Sequence, residues 1–393
     1  MIWSFVFGVI AWLVLIPLGS TVFPLDMGGQ INTSVSFYDI QSSLFNPENV
    51  LSKTSLGNEI KTITWLDSSQ GSWAARVAFL NTYRRENKTK AIYQNEFQLH
   101  AATVQFSGDH WFVKGGKFFQ KWGNGLLFNP SDVINSKKNP LMISQTLDRE
   151  GKEQIDFSLI PNDVIALDLV LLAPETNAID APPLIPRLGL SSSWLSGHLF
   201  GVIEKNETPE WGGDLSCPLE IAPVIVYTEF RYKTAGKIPH YENGTSGVTY
   251  SREAAACYLL GFNWVIRDNM NLVVEYQRNP ENLSHKEYMT LLHDFASNFS
   301  QPFSYTPALF GASKQYVASA FILNEVFQNM EFTFASIWNS SDGSMLIFPA
   351  MTYSPVQNWI VTSRWISGLG NNQSEFGNLV EKNSFQLSLD TYF

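Results

Sequence analysis

The last ten residues, Ser384 to Phe393, alternate in chemistry without a break. Phe385, Leu387, Leu389, Thr391 and Phe393 share one parity, and Ser384, Gln386, Ser388, Asp390 and Tyr392 share the other. Successive side chains of a strand point to opposite faces, so this segment is a strand with one oily and one wet face. Chain termini ordinarily fray, and an unpaired strand edge is a liability in water. A closed barrel resolves both problems, because its last strand pairs with its first. An ordinary edge strand of a secreted sandwich is the competing reading.

The same alternation recurs upstream. Trp359, Val361, Ser363 and Trp365 share a parity, and the two indoles stand ~20 Å apart along a strand. Met330, Phe332 and Phe334 oppose Glu331 and Thr333, and Phe97, Leu99 and Ala101 oppose Glu96, Gln98 and His100. Charged residues are only 16 % of the chain and aromatics are 14 %, where a soluble domain carries roughly 25 % charged residues. Beyond the amino-terminal segment no run reaches the roughly 18 apolar residues of a membrane helix. Low charge without membrane helices is what alternating, lipid-facing strands produce. The terminal strand resembles the signal strand of Gram-negative outer-membrane β-barrels, which ends in Phe and is read by the barrel assembly machinery. The resemblance implies an outer membrane of a diderm bacterium, lipid around the barrel, and Phe385, Leu387, Leu389, Thr391 and Phe393 as the assembly signal. A net charge of −10 argues against nucleic acid. Homo-oligomerisation is left open.

At the amino end, Ile2 to Leu18 is apolar apart from Ser4 and Gly8, then breaks at Pro17, Gly19 and Ser20. This is the pattern of a secretory signal, although no Lys or Arg precedes it and no A-x-A site follows. We expect a signal peptide over 1–23, cleavage between Ser20 and Asp26, and one barrel domain over 24–393. A single amino-terminal membrane helix is the rival, at the short limit for spanning. Cys217 and Cys257 are compatible with an oxidising compartment, as one disulfide or as two separate thiols.

Period-2 segments fall near 30–38, 59–67, 73–83, 92–105, 110–119, 154–160, 164–173, 187–204, 219–233, 251–267, 270–279, 314–324, 329–339, 345–353, 356–367 and 384–393. The fold class is therefore an all-β, closed antiparallel transmembrane barrel of about sixteen strands, with fourteen or eighteen open. The long segment 187–204 can fold as a hairpin at Ser196-Gly197. Ser107-Gly108-Asp109, Pro161-Asn162-Asp163, Asp268-Asn269 and Ser354-Pro355 read as tight turns. Longer polar stretches lie at 39–58, 120–153, 234–250, 280–313 and 368–383. Short turns on one side and long loops on the other suit a barrel that crosses a membrane.

The polar parity then lines a lumen. Arg76, Glu96, His100, Asp168, Glu229, Arg231, Glu275, Glu331, Arg364 and Asp390 are the charged or titratable residues assigned to it. Acids outnumber arginines among them, which predicts a mild preference for cations or neutral solutes. A phosphate pore would need a cluster of Arg or Lys. A barrel of this size is too wide for side chains to fill.

The densest motif follows the fifth predicted strand: Trp122-Gly123-Asn124-Gly125-Leu126-Leu127-Phe128-Asn129-Pro130-Ser131-Asp132-Val133-Ile134-Asn135. Gly123 and Gly125 permit a sharp bend or close backbone approach. Asn129-Pro130 and Asp132 favour a turn. Trp122, Leu126, Leu127 and Phe128 are too apolar for a loop in water, so the segment packs on something. The string W-G-x-G-x-x-F-N-P-x-D-x-x-N resembles a stretch of several porin-like outer-membrane families. General porins fold the loop after their fifth strand inward. The resemblance implies that 120–153 is a constriction loop, with Trp122, Gly123, Gly125, Phe128, Asn129, Pro130, Asp132 and Asn135 as its motif. A motif that only caps the strands is the alternative. Within 280–313, Ser284 and Glu287 form a capping box, followed by Tyr288, Leu291, Leu292 and Phe295 at helical spacing. That helix acts as a lid or packs on the rim.

Catalytic patterns are weak. The six histidines form no H-E-x-x-H, the cysteines lack zinc spacing, and there is no G-x-S-x-G elbow or phosphate loop. We expect no enzyme, no metal and no cofactor. The reading is a porin-like channel for passive diffusion of small solutes. A non-channel barrel for surface assembly or adhesion and a secreted β-rich hydrolase are the alternatives.

Overall fold

The computed structural model describes residues 25–40, 54–87, 91–135, 151–174, 182–205, 207–220, 222–242, 248–297, 313–379 and 381–393. The segment expected to be a signal peptide lies outside them. Eighteen strands form one antiparallel sheet: β1 (Leu25–Ile40), β2 (Thr54–Gln70), β3 (Trp73–Asn87), β4 (Ala91–Ser107), β5 (Trp111–Phe118), β6 (Lys152–Leu159), β7 (Ile165–Leu172), β8 (Leu184–Ser191), β9 (Ser196–Val202), β10 (Glu210–Leu219), β11 (Val224–His240), β12 (Thr249–Arg267), β13 (Met270–Arg278), β14 (Gln315–Leu323), β15 (Met330–Asn339), β16 (Met345–Val356), β17 (Trp359–Leu369) and β18 (Glu381–Tyr392). A helix, α1 (His285–Ser297), lies between β13 and β14. Every strand pairs with its sequence neighbours, and β18 pairs with β1 to close the ring.

Closure is built at the two ends of the described chain. Tyr392 stands opposite Gln30 and Phe385 opposite Phe37. The Gly29 N–H donates to the Phe393 carbonyl at 3.0 Å, and the Phe393 N–H returns a bond to Gly29 at 3.1 Å. The Phe393 ring lies over Gly29, 2.1 Å from where a Cβ would stand.

The two parities have opposite fates. Phe37, Phe385, Leu387 and Trp365 are exposed, whereas Asn32, Ser34, Ser388 and Arg364 are buried. A soluble sandwich buries its oily parity, and this chain turns it outward. Each exposed aromatic or aliphatic side chain forgoes about 1.5–3 kcal/mol in water, so the outer face calls for lipid. Trp73, Trp111, Trp194, Trp264 and Trp359 are exposed and sit in or within a few residues of the short turns. Tyr83, Phe97, Trp211, Trp338 and Trp365 are exposed toward the long-loop end. These are the two interfacial belts of a spanning barrel. Among the described residues no helix is long and apolar enough to cross a membrane.

The strand count exceeds sixteen for identifiable reasons. Segment 187–204 is β8 and β9, joined by a turn in which the Ser192 N–H donates to the Leu195 carbonyl at 2.8 Å. Ser196-Gly197 is not that turn; both residues pair within β9. β10 escaped notice because Gly212-Gly213 and Pro218 erase its alternation. Both glycines are packing requirements: a Cβ on Gly212 would meet the Phe200 ring at 2.2 Å and one on Gly213 the His198 carbonyl oxygen at 2.5 Å. Three expected turns hold, one with Asn162 Oδ1 accepting the Val164 and Ile165 N–H groups at 2.9 Å. Ser354-Pro355 is not a turn. It lies in β16 where the register shifts, and the chain reverses at 357–358. Proline lacks the N–H that a regular ladder needs, so it sits at the irregularity.

In β4, Ala101 stands opposite Ala78, but Leu99 stands opposite Phe79, so His100 is an extra residue in a bulge. Beyond it the faces exchange, and Ala101 packs inward against Ile63, Ala78 and Leu80, away from the oily face of Phe97 and Leu99. The stretch 234–250 is mostly strand, because β11 runs to His240 and β12 starts at Thr249. Cys217 and Cys257 do not pair as a disulfide.

Candidate functional site

After β5 the chain turns into the barrel and runs along the inner wall. Gly123 takes φ +79°, which curls the backbone so that successive N–H groups converge on one point. The anion they receive is the protein's own Glu229, from β11. Its Oε1 accepts the Asn124 and Gly125 N–H groups, each at 2.6 Å. Its Oε2 accepts the Ser131 N–H at 3.1 Å and the Ser131 hydroxyl at 2.8 Å. Glu275, from β13, takes the next three amides: Leu126 at 2.5 Å, Leu127 at 3.0 Å and Phe128 at 2.8 Å. The Tyr227 hydroxyl also donates to Glu275, at 2.7 Å. Tyr227 leans across β12 in the space left by Gly261, where a Cβ would sit 2.5 Å from its ring. Both carboxylates have 0 % exposure.

The remaining motif residues close the loop on itself and on the wall. Asn129 Nδ2 donates to the Trp122 carbonyl. Asn135 Nδ2 donates to the Gln120 carbonyl and to Asp132, and Pro130 is buried. Trp122 is buried against Phe200 with the Arg187 guanidinium over its ring at 4.5 Å. Leu127 and Phe128 enter a core with Leu259, Tyr316, Ile337 and Phe376. Of the expected loop 120–153, residues 136–150 lie outside the described chain.

A second segment, 370–379, also folds inward. Glu375 accepts the Tyr316 hydroxyl at 2.8 Å and Asn339 Nδ2 at 2.8 Å, and its own N–H donates to Asp342 at 2.8 Å. Phe376 is fully buried beside Tyr316. Composition alone reads 368–383 as a polar loop, and the single aromatic among its polar residues is the signal that it packs.

On the opposite wall a cavity of about 370 Å³ remains between β1–β5 and the base of the inward loop. Arg76, Lys114 and His100 line it, with Trp65, Phe118 and Phe119 as its apolar part. Lys114 Nζ lies 4.3 Å from the centre of the Phe118 ring, and Arg76 stacks on Trp65 at 5.4 Å. Arg76 also pairs with Asp67 at 3.5 Å, half-exposed.

A scan of protein-family profiles finds no match, and no curated protein matches the sequence. Solved structures do match. Acinetobacter baumannii OccAB1 superposes with a TM-score of 0.58 at 11 % identity, covering 94 % of this chain and 96 % of that one. The outer membrane protein OprD from Pseudomonas aeruginosa gives 0.55 at 10 % identity, covering 94 % and 93 %. Pseudomonas aeruginosa OpdQ gives 0.55 at 11 % identity, covering 94 % and 98 %. The fold is that of an outer-membrane barrel. At such identities the likeness is one of fold.

Within that barrel the ten residues of the polar parity occupy different situations. Glu229 and Glu275 hold the loop. Asp168 accepts the Ser158 hydroxyl at 2.6 Å and pairs with Arg187 at 3.4 Å. Arg231 pairs with Glu210 at 2.7 Å. Asp390 accepts Gln30 at 2.8 Å and Asn32 at 2.7 Å across the closing seam. Arg364 is buried on β17. Glu96 and Glu331 are exposed, Glu331 accepting Thr333 at 3.3 Å. Arg76 and His100 line the cavity. Sequence reasoning missed Lys114, Tyr227, Tyr316 and Glu375. It also missed Asp214, which takes Asn124 Nδ2 at 2.9 Å and shares a hydrogen bond with His198 at 2.9 Å. Among the described residues no three His, Cys, Asp or Glu side chains are grouped to hold a metal ion.

Proposed function

We propose that this protein is a channel of the outer membrane of a diderm bacterium that passes small solutes by diffusion, selecting by width and charge. One observation carries the reading: residues 119–135 are strapped across the interior by Glu229 and Glu275, beside a cavity lined by Arg76 and Lys114. An eighteen-stranded ring is too wide for its own side chains to fill, so a fixed inner loop is what narrows it. This reading calls for no catalysis, cofactor or metal. Its partners are lipid outside, solute inside and the barrel assembly machinery, which reads Phe385, Leu387, Leu389, Thr391 and Phe393.

Position changes the expected charge preference. Counting charges by parity favoured cations, yet Glu229, Glu275 and Asp390 are spent on hydrogen bonds within the protein. Among the described residues, the charged side chains lining the cavity are Arg76 and Lys114. The reading is therefore a passage that favours anions. Refolded protein in planar bilayers under a KCl gradient tests it. Discrete steps with an anion-biased reversal potential are expected, and Arg76→Ala together with Lys114→Ala shifts that potential toward zero. Protein that folds but never opens steps contradicts the proposal.

A further inference from the structure

We infer that Glu229 and Glu275 are positioning residues that fix the width of the constriction, so that segment 119–135 is a rigid part of the wall and does not gate. The inference rests on the channel reading above and adds how its narrow point is held.

The loop and the two acids need each other. Five consecutive backbone N–H groups, from Asn124 to Phe128, and the Ser131 amide all point at these two side chains. An N–H turned toward a wall without an acceptor is costly, and a buried carboxylate without donors is costlier still. The loop satisfies the acids and the acids satisfy the loop. Swinging the segment outward strips both carboxyl groups of their donors at once, so small displacements have no intermediate resting place. The donors are backbone amides and hydroxyls, and each of the four carboxyl oxygens takes two of them. Buried as they are, they are little screened by salt. The backbone is committed to this geometry as well: a Cβ on Gly123 would lie 2.6 Å from Glu229 Oε1, and one on Gly125 would lie 1.8 Å from the Phe128 carbonyl oxygen. The acids stand 98 to 149 residues from the amides they hold, so the clamp ties the loop to the far wall and not to its own hairpin.

The test is amide hydrogen exchange on the full-length protein refolded in detergent, run alongside single-channel recording. In the wild type, the amides of 124–128 and 131 exchange slowly and the open-channel current is quiet. Glu229→Gln and Glu275→Gln keep size and shape but turn an NH₂ donor toward backbone donors. Each is expected to speed exchange ~10-fold or more at the amides it served, and to add open-channel noise and substates. Glu207→Gln, which breaks an exposed pair with Arg252, is the control. Heat-modifiable gel mobility checks that each barrel is closed. Should both Gln variants fail to fold, Tyr227→Phe removes one donor from Glu275 and is expected to speed exchange at 126–128 alone. Fast exchange at these amides in the wild type overturns the inference. So do folded Gln variants with unchanged exchange and quiet currents. Slow exchange in a wild type that never conducts upholds the clamp and refutes the channel.

Discussion

Gly123 shows how much a single residue decides here. Its positive φ is one that L side chains rarely adopt, and an added Cβ would crowd Asn129 Oδ1 and Ser131 Oγ, each at 2.3 Å, as well as Glu229. Gly123→Ala is expected to destabilise the inward loop by about 1–3 kcal/mol while leaving the barrel closed, because the closing pairs run between β1 and β18. Limited proteolysis of the folded variant checks this: cleavage within 119–135 rises while heat-modifiable mobility persists. The sequence marked this glycine as a sharp bend but did not say what the bend embraces. Nothing local announces that Glu229, 104 residues from Gly125, is the acceptor. Acids on a strand's wet parity look alike until the fold chooses among them.

At the scale of elements, alternation was readable wherever both faces carry side chains of contrasting chemistry, as in β15, β17 and β18. It failed where glycine or proline replaced that contrast, in β10 and at Pro355, and where a bulge exchanged the faces at His100. Helix α1 was legible because its start is local chemistry. The Ser284 N–H donates to Glu287 Oε2 at 2.9 Å and the Glu287 N–H returns to Ser284 Oγ at 3.3 Å, completing the expected capping box. The helix packs Tyr288 and Leu291 against Tyr241 and Leu283, which is packing on the strand ends near the rim. The side chains of Leu292 and Phe295 lie outside the described residues. Burial alone would push the Glu287 carboxyl up, but the Ser284 hydroxyl and amide, His240 and Lys314 outweigh it and hold the carboxyl below its ordinary value. A lowered carboxyl stabilises the folded helix above its unfolded pKa of about 4.3 and loses that contribution as pH falls through the folded value. Exchange in 285–294 is therefore expected to rise selectively below about pH 4. Ser284→Ala is expected to cost about 1 kcal/mol of local stability at neutral pH. If acid accelerates exchange equally in Ser284→Ala and wild type, the cap is not the cause.

For the whole molecule, what matters is which parity meets lipid. Leu387 faces outward in the middle of the closing strand, beside Val35 and Ser363. Leu387→Arg is expected to cost roughly 2–4 kcal/mol in the bilayer, read as a lowered urea midpoint for unfolding from vesicles. Ser388 is buried and faces inward. The central claim is a wide barrel narrowed by one anchored inner loop. Liposome swelling with a graded series of sugars tests it most directly. Vesicles carrying the protein are expected to admit the small sugars and exclude the large ones at a sharp limit. Entry of none, or entry of large and small alike as through an unobstructed tube, contradicts the account.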